Sequence, residues 1–134
     1  MAVGGDIREI TFNHPTIGAG RFNIISGEDS TFDPGGLRNE GDVATSGNGD
    51  PVYQKNRKPW FFEGTAVWDM NITDDVAIAK QLAESAIDAV YTIEHINGSV
   101  YKASGQVVGD IVGNMNTARF PLKISGGGEA KKIS

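Results

Sequence analysis

Glycine fills 18 of the 134 positions, about 13% against a usual ~7%. Each glycine loses more backbone freedom on folding than any other residue, and inside a helix it costs roughly 1 kcal/mol relative to alanine. Such a chain favours strands joined by tight turns over long helices. The length suits a single domain, residues 1–134, with enough chain to bury a core without crosslinks.

Composition removes several classes of function. Cysteine is absent, which excludes disulfide scaffolds, thiolate metal sites and cysteine nucleophiles. No apolar run approaches the ~20 residues of a membrane span. The opening Met1–Asp6 has neither a basic region nor an apolar one, so no secretory signal is expected there. The net charge of −5 argues against sequence-independent binding of nucleic acid, which needs a basic face. It is compatible with a wall past which nucleic acid slides without binding.

The pattern predicts six or seven strands. Asp6–Phe12 is β-branched and aromatic, and Asn13-His14-Pro15 breaks it. A turn at Ile17–Gly20 leads to a second strand, 21–25. From Trp60 to Met70, apolar Trp60, Phe62, Ala66 and Trp68 alternate with Glu63, Thr65 and Asp69. That is the period-two signature of a strand with one buried face, typical of antiparallel sheets. Thr73 is a good N-cap for a helix ending near Ser85, with Asp74 and Asp75 in the first turn and Val76, Ala79, Leu82 and Ala83 along its apolar side. Ile87–Ile96, a type I′ turn at Asn97-Gly98 and Ser99–Ala103 form a hairpin. Ser104-Gly105 turns again into a strand at 106–112. In the last strand Ala118, Phe120, Leu122 and Ile124 alternate with polar residues, and Pro121 marks an edge, a bulge or an end. Residues 126–134, opening on three glycines, read as a flexible tail. The expected fold is mainly β: an antiparallel β-sandwich or partly open barrel with one flanking α-helix.

Residues 26–58 stand apart. They hold six glycines and two prolines and show no sustained period, apart from a short strand around Val52-Tyr53-Gln54. A loop this long inside a compact domain is normally functional, disordered or the sign of an element the pattern does not reveal. Its charge is split. Glu28, Asp29, Asp33, Glu40, Asp42 and Asp50 face only Arg38 in the first part, and Lys55, Arg57 and Lys58 follow. One reading is a solvated loop. The sharper one is a docking arm whose halves meet complementary charge on neighbouring copies, setting orientation and register.

No catalytic constellation emerges. The nucleophile elbow, the phosphate-binding loop and the H-E-x-x-H zinc motif are all missing. His14 and His95 read as structural, and the acidic loop lacks calcium-ligand spacing. Trp60 and Trp68 lie on the apolar face of one strand, which suits core packing better than sugar stacking. The expectation is a non-enzymatic protein with no cofactor and no metal.

In order along the chain, Ile10–Pro15, Gly18 with Gly20, Ser30–Gly36, Phe61–Gly64, Trp68–Asn71, Ile96–Tyr101 and Asn116–Ile124 resemble the tail tube proteins of contractile-tailed bacteriophages. The resemblance covers nearly the whole chain. It implies a structural subunit whose hexameric rings stack into a hollow conduit, each copy giving strands to a continuous ring-shaped β-barrel. DNA crosses the lumen without specific binding. Sheath, baseplate hub and tail terminator proteins are the implied partners, and the implied location is the virion, after assembly in the host bacterial cytoplasm. On this reading Glu28, Asp29, Asp33, Glu40, Asp42, Lys55, Arg57 and Lys58 are candidates for contacts between subunits or rings. Glu63, Thr65 and Asp69 are candidates for a lumen or inter-subunit face. The alternatives are the inner tube of a type VI-like secretion or contractile injection system, a small β-sandwich ligand-binding module, and a hydrolase relying on His14 or His95.

Overall fold

The computed structural model describes residues 2–134. Strand accounts for 49% of the chain and helix for 8%, as the glycine content requires. The elements in order are β1 (Ile7–His14), β2 (Gly18–Phe22), β3 (Thr31–Asp33), β4 (Gly36–Asn39), β5 (Ala44–Thr45), β6 (Pro51–Val52), β7 (Lys55–Lys58), β8 (Trp60–Val67), α1 (Asp75–Glu84), β9 (Ala89–His95), β10 (Val100–Val107), β11 (Arg119–Gly126) and β12 (Lys131–Lys132).

One antiparallel sheet runs in the order β2-β1-β9-β10-β11-β8-β3, with β12 added beside β10. It folds over on itself at β10, whose first part pairs with β9 and whose end pairs with β11. The bend sits at Gly105. A Cβ there would strike the Ser125 carbonyl and lie 2.9 Å from the Trp60 ring, so only glycine lets the two layers approach this closely. At the other corner the chain leaving β2 crosses to β8. Ile24 bridges Ala66, and the Ile25 N–H donates to the Thr65 carbonyl at 2.9 Å. The sheet does not close into a barrel. The result is a sandwich stitched at two corners, with α1 packed beside β10.

Between the layers lie the inward alternates. Ile10, Phe22, Trp60, Phe62, Tyr91, Phe120, Leu122 and Ile124 are fully buried. Burying a side chain of this size contributes roughly 1.5–3 kcal/mol each. Trp60 satisfies its indole by donating Nε1–H to the Ser104 carbonyl at 2.9 Å.

Several expected boundaries move. β1 continues through His14, and the turn is shorter, at 15–17, because Gly18 and Gly20 belong to the next strand. Gly20 lies beneath the Phe12 ring. No turn occurs at Ser104-Gly105, and 108–112 is not strand. The Asn97-Gly98 turn is not type I′, since Asn97 keeps a negative φ and only Gly98 is positive. His95 pairs with Ser99 across a three-residue loop, the geometry of a type I turn closed by a bulge glycine. Asp74, not Thr73, caps α1, accepting from the Ala77 N–H. The buried Asp75 accepts from the Asp69 N–H at 2.9 Å and the Thr73 hydroxyl at 3.1 Å. Pro121 lies where β11 has passed the end of β10, so the missing N–H faces an unpaired edge as expected.

Two expectations are corrected. Residues 26–58 are not a structureless loop: β3 adds to the sheet edge, and 36–58 form a two-stranded hairpin from β4 with β7 and β5 with β6. The C-terminal tail is docked rather than flexible. Ala130 is buried and its N–H donates to the Pro34 carbonyl, the Ile133 N–H donates to the Val100 carbonyl, and the Val100 N–H donates to the Ser134 carbonyl. Among the described residues, no helix is long and apolar enough to cross a membrane.

Candidate assembly surfaces

The hairpin is an arm that leaves the body. Every residue from 41 to 59 is exposed. The register puts Leu37 opposite Arg57 and Asn39 opposite Lys55, so these four share one side. Tyr53 joins them, with the Lys55 Nζ 5.9 Å from its ring centroid. On the other side Arg38 pairs with Asp33, and Lys58 lies 2.7 Å from Glu40. The arm also exposes Val43 and Val52, and Leu37 and Tyr53 remain 59% and 56% exposed. A lone two-stranded ribbon cannot cover such side chains and is marginal in water.

The local charges follow from this pairing. The Arg38 guanidinium and the Gly35 N–H hold Asp33 below the ordinary carboxylate range. Lys58 does the same for Glu40. At the base of the N-terminal segment, the Gly27 N–H and the Ser26 hydroxyl hold Asp6 low.

The split charge of the segment is therefore partly spent inside the chain. Glu28 meets Arg119 at 3.2 Å, Asp33 meets Arg38, and Glu40 meets Lys58. Among the described residues, Asp29, Asp42, Lys55 and Arg57 take no ion-pair partner. Of the second candidate set, Glu63 is exposed between Thr31 and Lys123, and Thr65 is half-buried opposite Pro121. Asp69 does not share their face, because β8 ends at Val67. Its carboxylate instead accepts from the Asn71 and Ile72 N–H groups at 3.1 and 3.2 Å.

A more uniform polar surface lies on the other layer. The outward residues of β2-β1-β9-β10 include Thr11, Asn13, Thr92, Lys102 and Ser104. Glu9 stands directly opposite Glu94, a destabilising juxtaposition. Each glutamate has its own arginine: Arg21 reaches Glu9 at 3.3 Å and Arg8, at a bulge, reaches Glu94 at 3.2 Å. The period-two alternation of β1 and β9 was the signal that could have marked this face in the sequence.

A groove of about 460 Å³ opens between the N-terminal segment, residues 28–32 and the β9–β10 hairpin. Ile7, Phe32, Ile93 and Tyr101 line its apolar part, and Glu28 and Asp29 flank it. Phe32 and Tyr101 pack with tilted rings, their centroids 4.9 Å apart.

Both tryptophans are structural. Trp60 is fully buried, and Trp68 packs near Gly113 with Nε1 donating to Asp74 at 3.0 Å. No protein-family model matches this chain, and no curated protein matches it.

Proposed function

We propose that the chain is a structural subunit of a bacteriophage tail tube, assembling as hexameric rings that stack into a hollow conduit for DNA inside a contractile sheath. The observation that carries this reading is the arm. A hairpin that exposes leucine, valine and tyrosine side chains and never returns to its own body is built to be covered by something else. Repeated copies of the same chain are the simplest cover, and head-to-tail contacts between copies generate rings or filaments.

The sheet β2-β1-β9-β10 is the best candidate for the conduit wall. Its outer face offers hydroxyls, an amide and charges that are largely paired. Among the described residues its unpaired cations are Lys102 and, directly opposite on the adjoining β12, Lys131, too few to hold phosphates tightly, so DNA passes without sticking. This replaces Glu63, Thr65 and Asp69 as the proposed lining.

Sedimentation velocity across a concentration series tests the reading. Cooperative growth from small species to large, uniform assemblies is expected. A single monomeric species at every concentration, with and without tail initiation proteins, would overturn it.

A further inference from the structure

Resting on the reading that copies of this chain assemble, we propose that the Leu37, Tyr53, Lys55 and Arg57 side of one copy's arm seats in the Glu28–Asp29 groove of the next copy. Three observations converge on that pairing.

The first is area. The chain exposes 8315 Å², whereas a compact protein of 14.2 kDa exposes about 6,800 Å². The excess of about 1,500 Å² is close to the ~1,600 Å² buried by a stable protein–protein interface.

The second is charge. Residues 36–58 hold four basic and three acidic side chains, so the arm is positive while the rest of the chain carries the negative charge. The basic groups are at its root: Arg38 pairs with Asp33 of β3 and Lys58 with Glu40 of the arm itself, and Lys55 and Arg57 remain. In the groove Arg119 neutralises Glu28 and His95 lies on the wall, which leaves Asp29 as the free anion.

The third is chemistry. The arm's side presents an aromatic ring and an aliphatic chain beside two cations, and the groove presents apolar side chains with Glu28 and Asp29 at its edge. The groove's volume lies in the ~300–1,000 Å³ range of small-ligand pockets, room for a few side chains of the arm. The contact is heterologous, since the arm and the groove are different surfaces of one chain.

That asymmetry gives a sharp test. One variant carries K55E and R57E, and another carries E28K and D29K. Each alone opposes like charges at every contact, so its assembly concentration should rise at least about tenfold. In an equimolar mixture the two variants can alternate, so that every arm meets a groove of opposite charge, and the mixture should assemble near the wild-type concentration. D29K alone keeps the Glu28–Arg119 pair, and thermal melts of all variants check the fold. Recovery on mixing supports the pairing. Two variants that fail alone and also fail together, while melting like the wild type, overturn it. Variants that assemble normally alone overturn it too, and assign the groove to another occupant. A wild-type chain that never assembles overturns the underlying reading instead.

Discussion

The Nε2 of His14 lies 2.8 Å from the Ser85 hydroxyl, while its Nδ1 faces the backbone N–H groups of Thr16 and Ile17 at 3.1 Å each. Those N–H groups can only donate, so Nδ1 accepts and Nε2 carries the hydrogen. Nε2–H is then shared by Ser85 and the Ile87 carbonyl, 3.1 Å away. A histidine whose proton already points at the hydroxyl cannot withdraw another from it, so this pair is not poised as nucleophile and base. Its work is to tie the end of β1 to the chain leaving α1 and entering β9.

His14→Ala leaves two backbone donors unpartnered near the core, where His14 itself is 2% exposed. The expected loss in denaturant unfolding is about 3 kcal/mol. His14→Asn can still accept from the two N–H groups and should lose less. Equal losses from the two variants would contradict the assigned hydrogen-bond directions.

Gly105→Ala tests the corner of the sandwich. The added methyl meets the Ser125 carbonyl and the Trp60 ring, and neither can withdraw without parting the layers. A destabilisation of about 2–3 kcal/mol is expected. A neutral result in a thermal melt would mean that β10 bends elsewhere.

Tyr91→Phe works in the opposite direction. The Tyr91 hydroxyl is buried with no hydrogen-bond partner among the described residues. Burial and the nearby Asp88 hold its ionisation well above the ordinary tyrosine value. Removing it should leave stability within about 1 kcal/mol of wild type, or raise it. A larger loss would show that the hydroxyl contributes a contact.

Acid should loosen the arm and its anchorage. Asp6, Asp33 and Glu40 are held below their ordinary values of 3.8, 3.8 and 4.5. Below those values the unfolded chain binds protons before the folded one does, so stability falls as pH falls. Their contribution is complete at neutral pH, begins to fade near pH 4.5 for Glu40, and is lost only below the depressed folded values. Amide exchange of residues 36–58 measured from about pH 7 down to about pH 3, corrected for intrinsic rates, should show protection lost only at the acid end. Protection that increases on acidification would contradict the pairing.

How far the sequence reveals this structure depends on whether side chains or backbone hold each part. β8 and β11 were legible because Trp60, Phe62 and Ala66, and Phe120, Leu122 and Ile124, mark one buried face by strict alternation. The helix was legible from Asp75, Ala79 and Leu82. The arm was not, because its strands are two to four residues long and bury nothing, so no period records them. The C-terminal segment was hidden for a related reason. Its glycines suggest freedom, but backbone hydrogen bonds to β10 and one small buried side chain, Ala130, hold it. Gly105 reads as a turn in the sequence, whereas it sits inside β10, because close packing and turning both demand a residue without a Cβ. The candidate contact residues were legible as charges, whereas their partners within the chain depended on the hairpin register.

The central claim is that copies of this chain build a hollow tube, and negative-stain electron microscopy of the purified protein over a concentration series tests it most directly. The account predicts stacked rings or tubes of one uniform diameter with a stain-filled centre. A field of small single particles at every concentration, unchanged when tail initiation proteins are added, would contradict it.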